Sequence, residues 1–278
     1  RFGSVAELAR DVDLHGYYGG IRLVKATIKT FFEYCRDRYT LHGRNFSIRY
    51  QTAIPRAVGL AGSSAIIVAT MRALMAFYEI EIPCEVLPSL VLSVETEQLG
   101  IAAGLQDRVI QVYGGAVFMD FGRDVMQDRD GLLCGAYEPV DPALLPPLYV
   151  AFSEDAGEPT EVMHNNLRTR YEQGEPAVVN AMSEFAQLAQ DARDYLLAGR
   201  GDKISELVDR NFDLRRSICK LPREHVQMID AARRVGASAK FAGSGGAIIG
   251  VYESEEMFAD LCRELSQLGC RVIKPAVG

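Results

Sequence analysis

No apolar run in this sequence approaches the roughly 20 residues that a membrane-crossing helix needs, and the longest candidates are broken by Gly, Pro or charge. The opening residues, Arg1-Phe2-Gly3-Ser4-Val5-Ala6-Glu7, carry acid early and lack the apolar core of a signal peptide. The six cysteines (Cys35, Cys84, Cys134, Cys219, Cys262 and Cys270) include no CxxC pair. That spacing argues against both a zinc site and a disulfide framework, and for reduced thiols in a cytoplasmic setting. The four histidines, His15, His42, His164 and His225, show no metal-ligand spacing. An excess of positive charge is also missing: 30 Lys and Arg against 37 Asp and Glu leave a formal charge of −7. Nothing general therefore draws the chain to nucleic acid or anionic lipid, and any anion it binds must be held by local geometry. Internal repeats and low-complexity tracts are absent. With no Met before Arg1, the chain is expected to be a fragment that lacks a leading segment.

What is present is the composition of a folded protein: 278 residues, 48% hydrophobic and 24% charged, enough for one large or two ordinary domains. Helical periodicity predicts helices over 21–39, 65–78 and 85–100, and strands over 46–51 and 116–121. The Asp-, Gly- and Pro-rich stretch 127–147 reads as a connection, with the domain boundary near 140–146. Beyond it the pattern predicts a strand at 148–152, helices over 178–197, 203–218 and 223–235, a strand at 247–252, a helix over 255–268 and a strand at 271–273. Mixed elements in this order point to an α+β protein, divided as 1–143 and 144–278.

Two glycine-containing loops carry the chemistry. In Pro55-Arg56-Ala57-Val58-Gly59-Leu60-Ala61-Gly62-Ser63-Ser64-Ala65, glycines let backbone N–H groups crowd an anion, and the loop feeds a helix whose positive end faces it. Ser64 could reach a metal ion bridging phosphates, although the GKS or GKT ending of a P-loop is absent; the plain alternative is a serine that caps a buried helix. The second loop is Lys240-Phe241-Ala242-Gly243-Ser244-Gly245-Gly246, which a tight turn alone would explain. Between them, Val94-Glu95-Thr96-Glu97 and Gly104-Leu105-Gln106-Asp107-Arg108 set carboxylates on either side of a glycine turn. Phosphoryl transfer calls for such a pair, one to hold a metal and one to receive the proton of the attacking hydroxyl.

The run P-x-x-x-G-L-x-G-S-S-A resembles the second signature of the GHMP superfamily of small-molecule kinases, departing from it by the extra Ala61. The later glycine loop resembles that family's third motif. The first signature is not found. The resemblance implies a two-domain fold, with an N-terminal domain like ribosomal protein S5 domain 2 and a ferredoxin-like C-terminal domain. It also implies ATP and Mg²⁺ as cofactors. Pro55, Gly59, Leu60, Ala61, Gly62, Ser63, Ser64 and Ala65 would wrap the nucleotide, Ser64 with Glu95 or Glu97 would hold the metal, and Asp107 would be the base. Glu95 stands slightly ahead, since separations of 12 and 10 residues from Asp107 bracket the family's pattern. Further runs, Gly16 to Arg22 and Asn211 to Arg216, extend the likeness to the glucuronokinases of that family. This implies a sugar acid as acceptor, phosphorylated at its anomeric hydroxyl. Tyr18, Gly19, Arg22, Asp107, Gly243, Ser244 and Gly245 are then expected at the substrate, with Arg22, Arg168, Arg215 and Arg216 as candidates for its carboxylate. Tyr17 would stack on the sugar or simply pack, and His164 in a polar loop is a weaker substrate-side candidate.

Galacturonate, arabinose and heptose kinases are neighbouring readings, and a non-catalytic sugar or nucleotide sensor is a further one. A sensor has no need to keep Ser64, Glu95 and Asp107 together. A dinucleotide-binding oxidoreductase would require G-x-G-x-x-G after a first strand, which Gly59, Gly62 and the double serine do not supply.

Overall fold

The computed structural model describes residues 2–17, 21–55, 59–153 and 161–278, without the side chains of 161–166. The chain divides into two compact units. One comprises Arg1–Ala53 and Ala61–Pro139, the other Ile54–Leu60 and Val140–Gly278.

The first unit is mainly helical. Helix α1 (Val5–His15) starts where the Ser4 hydroxyl accepts the Glu7 N–H at 3.0 Å. Helix α2 (Arg22–Cys35) lies against α3 (Gly62–Tyr78), with Phe31 stacked on Tyr78 at 5.6 Å between ring centroids. Helix α4 (Leu87–Ser93) runs on as a π-helical turn, Val94–Gln98, and α5 (Leu105–Tyr113) follows Gly104. Leu8, Phe31, Ile67, Met71, Leu74, Leu90 and Val91 form the shared core. Strand β1 (Ala116–Asp120) pairs with β4 (Ala136–Val140), and β2 (Gln127–Arg129) pairs with β3 (Leu132–Cys134). The β2–β3 hairpin turns at Asp130 and Gly131, with φ of 57° and 81°, the two left-handed residues that a tight hairpin needs.

The expected strand over 46–51 is not formed. Its alternation is present, but a strand also needs a neighbour for its backbone groups, and among the described residues none pairs with it. Phe46 instead packs edge-on against Phe77 at 5.1 Å.

The second unit contains an antiparallel sheet with strand order β6-β7-β5-β8, built from β5 (Leu148–Ser153), β6 (Lys240–Phe241), β7 (Ala247–Val251) and β8 (Cys270–Ile273). Helices α6 (Glu161–Glu172), α7 (Pro176–Leu197), α8 (Ile204–Ile218) and α9 (Arg223–Arg234) connect β5 to β6, and α10 (Glu255–Ser266) connects β7 to β8. This is the βαββαβ ferredoxin-like order, with extra helices in the first crossover. Its core gathers Tyr149, Phe212, Ile229, Ile248, Leu261 and Leu265. The polar stretch around 164–170, expected as a loop, is helix α6. No helix among the described residues is long and apolar enough to cross a membrane.

Candidate active site

In the first unit, α3 begins without a side-chain cap. Ala61, the residue extra to the family motif, takes the capping position in the left-handed region, φ 53° and ψ 33°. Neither Ser63 nor Ser64 caps the helix, so its first N–H groups keep their unsatisfied partial positive charge. Ser64 sits one turn in, fully buried, and its Oγ has no hydrogen-bond partner among the described residues. A buried hydroxyl left unpaired is unfavourable, and such groups collect where a ligand completes the bonding.

The carboxylates differ sharply. Glu95 lies in the π-helical turn, 2% exposed, and its Oε2 accepts Nε of Arg108 at 3.0 Å as well as Nη2. The turn closes on the same residue, with Ile101 N–H donating to the Glu95 carbonyl at 2.8 Å. Arg108 is itself 4% exposed, and its Nη1 lies 3.1 Å from the Gly104 carbonyl oxygen and 3.3 Å from Asp107 Oδ2. One guanidinium therefore links Glu95 to Asp107, using the fork of donors that lysine lacks. Asp107 is half exposed in the first turn of α5, where the helix dipole favours a negative charge. Glu97, from the same turn as Glu95, is exposed.

Gln98 ends that turn in a polar network. Its Oε1 accepts the Tyr17 hydroxyl at 2.6 Å and Lys29 Nζ at 3.1 Å, and Lys29 also pairs with Glu33 and Asp13. Burial raises the Tyr17 pKa, helped by Glu33 and Asp13. Tyr17 thus serves the packing of the π-helical turn.

In the second unit, the first part of the Pro55 to Ala65 motif meets the later glycine loop. A Cβ on Gly59, at φ +72°, would stand 2.7 Å from the Gly245 carbonyl oxygen, and one on Gly243 would stand 2.8 Å from that of Gly59. Both backbones approach more closely than any side chain permits. Leu60 packs with Phe152, Ala247 and Val150, and Pro55 is half buried. Gly243 and Ser244 are braced from α8, whose Arg215 donates to the Gly243 carbonyl at 2.7 Å.

The remaining expected residues are scattered. Arg22 is exposed at the start of α2, Arg216 is exposed on α8, and Arg168 pairs with Glu172 on the surface. Tyr18, Gly19 and the side chain of His164 lie outside the described residues. Sequence reasoning left Arg108 open between holding Asp107 and pointing to solvent, and weighed Arg215 for the sugar carboxylate; the link to Glu95 and the bracing of Gly243 rest on contacts between segments.

The descriptive model of the GHMP kinases N terminal domain matches residues 22–115. Glucuronokinase 1 of Arabidopsis thaliana is 44% identical over 256 residues, which span 90% of this chain and 69% of that protein. Among solved structures, mevalonate kinase of Methanococcus jannaschii aligns with a TM-score of 0.68 at 18% identity, covering 99% of this chain and 80% of that one. Galactokinase of Lactococcus lactis aligns at 0.69 and 16% identity, covering 96% and 77%. The fold is that of the small-molecule kinases. The chain belongs to the GHMP kinase family, and it is a phosphotransferase that takes an alcohol group as acceptor and ATP as donor.

Proposed function

We propose that this kinase phosphorylates a sugar acid, D-glucuronate, at its anomeric hydroxyl to give glucuronate 1-phosphate, with Mg·ATP as donor. The observation that carries the reading is the Arg108-linked pair of Glu95 and Asp107 in a chain 44% identical to a glucuronokinase. Asp107 is the base in this proposal. It orients the acceptor hydroxyl and takes its proton while that oxygen forms a bond to the γ-phosphorus and the bond to the ADP oxygen breaks. Arg108 holds the Asp107 carboxylate in place, and the uncapped start of α3 offers N–H groups to phosphate oxygens. Pro55, Gly59, Leu60, Ala61, Gly62, Ser63, Ser64 and Ala65 form the nucleotide loop, within an ATP-loop domain of 1–143 and a C-terminal domain of 144–278. Gly243, Ser244 and Gly245 border the substrate.

Magnesium suits the residues available. The unpartnered Ser64 Oγ is a hard oxygen donor, and Glu95 is a carboxylate held still by Arg108. No cluster of three or more His, Cys, Asp or Glu suited to a metal occurs among the described residues, in keeping with an ion that keeps most of its shell from phosphate and water. Bound there, the ion would offset charge on the β- and γ-phosphates. Glu97 is the competing ligand, and comparing Glu95→Gln with Glu97→Gln for the Mg²⁺ concentration at half-maximal rate separates the two.

The test incubates the protein with ATP, Mg²⁺ and a panel of free sugars and sugar acids while following ADP, with phosphorus NMR on the product to locate the phosphate. Glucuronate should support turnover and yield the 1-phosphate. Turnover with a neutral sugar and none with glucuronate would overturn the substrate.

A further inference from the structure

Arg215 and Lys240, two cations drawn out of water in the second unit, have no carboxylate partner among the described residues. Arg215, half buried on α8, donates through Nη1 to the Gly243 carbonyl at 2.7 Å and through Nη2 to that of Ser244 at 3.4 Å, and its Nε is buried with no partner among the described residues. Its guanidinium carbon lies 5.2 Å from the centroid of Phe241. Lys240, at the start of β6, donates to the Phe241 carbonyl at 3.2 Å. No ion pair reaches either of them among the described residues, although the sequence holds 37 acids. The nearby carboxylate of Asp209 is already engaged, accepting the Ala239 N–H at 2.9 Å and pairing with Arg233 at 2.9 Å. Burial pushes the Cys219 thiol up, and it keeps the His225 imidazole below its usual range against the weaker pull of Glu224. His225 lies edge-on to Phe241 at 5.9 Å, with its Nδ1 buried, unpaired and against Gly245.

Carbonyl dipoles alone are poor compensation for two neighbouring positive charges withdrawn from water. The arrangement becomes favourable when an anion arrives. It stands beside Gly243-Ser244-Gly245-Gly246, a turn in which Gly243 packs against the Gly59 backbone and Gly245 against the His225 ring. We propose that Lys240 and Arg215 form an oxyanion-binding point on the C-terminal unit, Lys240 making the contact and Arg215 holding the glycine turn and adding its field. Lys240 has donors to spare, whereas both terminal nitrogens of Arg215 already serve the turn, so Arg215 is a positioning residue. Given the kinase reading above, the oxyanion is either the carboxylate of the acceptor or a phosphate oxygen of the nucleotide.

The Lys240 amine, lowered to about 8 first by burial and then by Arg215, supplies a direct readout. An anion at Nζ favours the charged form and raises that midpoint. The experiment follows the Lys240 side chain by NMR in protein carrying ¹³C-labelled lysine, through a pH titration with inorganic phosphate, with glucuronate or with glucose. One of the two anions should raise the midpoint by about one unit, and glucose should leave it unchanged. In steady-state kinetics, Lys240→Met should raise the KM for that same ligand, acceptor or ATP, about tenfold or more while the other stays within about twofold. Lys240→Arg should recover most of the loss. A midpoint indifferent to both anions, or Lys240→Met with both KM values unchanged, overturns the proposal. Wild-type protein that turns over no sugar acid removes the substrate assignment above, while the NMR titration continues to test the oxyanion point.

Discussion

Arg108 donates through Nε to Glu95 Oε2 at 3.0 Å, tying the first turn of α5 to the π-helical turn that precedes it. Both side chains are almost completely buried. Removing only the cation strands a carboxylate in a low-dielectric site, a loss of about 3–5 kcal/mol in comparable pairs. Arg108→Met should therefore destabilise the protein by an amount of that order in urea unfolding, and the double variant Glu95→Gln/Arg108→Met should recover part of it. An Arg108→Met protein as stable as wild type would show that the pair contributes nothing to the fold.

Asp107 behaves differently because it is half exposed and Arg108 reaches it with only one nitrogen. Asp107→Asn keeps the shape and a hydrogen-bonding oxygen but cannot take a proton. The expected outcome is a fall in kcat of about 10²–10⁴, with the KM for the acceptor little changed. Thermal stability should stay within about 1 kcal/mol of wild type, as for other exposed pairs. Near-normal turnover would remove Asp107 as the base.

Most of the second unit was legible in the sequence, since long amphipathic helices and short β-branched runs announce themselves by their period. Three of the four strands were expected from their pattern; the two-residue β6 was not, and the ferredoxin-like order was implied by the family resemblance alone. The failures have physical causes. Residues 46–51 alternate like a strand, yet pairing is a property of two segments, and one segment cannot reveal its neighbour's absence. Residues 127–134 read as a connection because Asp and Gly are frequent there, although Asp130-Gly131 between Arg129 and Leu132 is a hairpin signal in its own right. The sequence of helix α6 is polar enough to hide its period, and α1, which starts at the Ser4 cap, was not among the expected helices. At the site, the glycine motifs marked the backbone, but the difference between buried Glu95 and exposed Glu97 depends on the π-helical turn, which has no sequence signature.

Ser64 offers a test that sets stability against activity. Its hydroxyl is buried and has no partner among the described residues, so deleting it removes an unsatisfied polar group at the expense of a very small void. Ser64→Ala should melt at the wild-type temperature or higher. Its kcat/KM should fall, and more Mg²⁺ should be needed for half-maximal rate. A loss of stability with unchanged kinetics would make Ser64 a structural residue only.

Gly59 faces the Gly245 backbone and Gly243 faces that of Gly59, and neither has room for a methyl group. Gly59→Ala combines the clash with the Gly245 carbonyl and a positive φ. Gly243→Ala meets the Gly59 carbonyl alone. Each should destabilise by about 1–3 kcal/mol and raise the KM for ATP, with Gly59→Ala the more severe. Gly43→Ala, which meets nothing within 4 Å, serves as the control and should fall within about 0.5 kcal/mol of wild type. Calorimetry of the three variants ranks them, and an innocuous Gly243→Ala would show that the two loops are not packed as described.

The pH dependence of stability carries the signature of Lys240. Burial and Arg215 hold its amine near 8 in the folded chain, against 10.5 for an unperturbed lysine. Between those two values the unfolded chain binds more protons at this position than the folded one. By linkage, this residue's contribution to stability must then rise with pH across the window, from a penalty below about 8 to none above 10.5. Other groups titrate in the same range, so the informative quantity is the difference between wild type and Lys240→Met. The variant should be the more stable near pH 7, and its advantage should shrink as the pH approaches 10. Urea unfolding at several pH values measures that difference directly. A gap that stays constant with pH would mean that the Lys240 amine titrates like one in water, and a gap that widens would mean that the fold raises its pKa rather than lowers it.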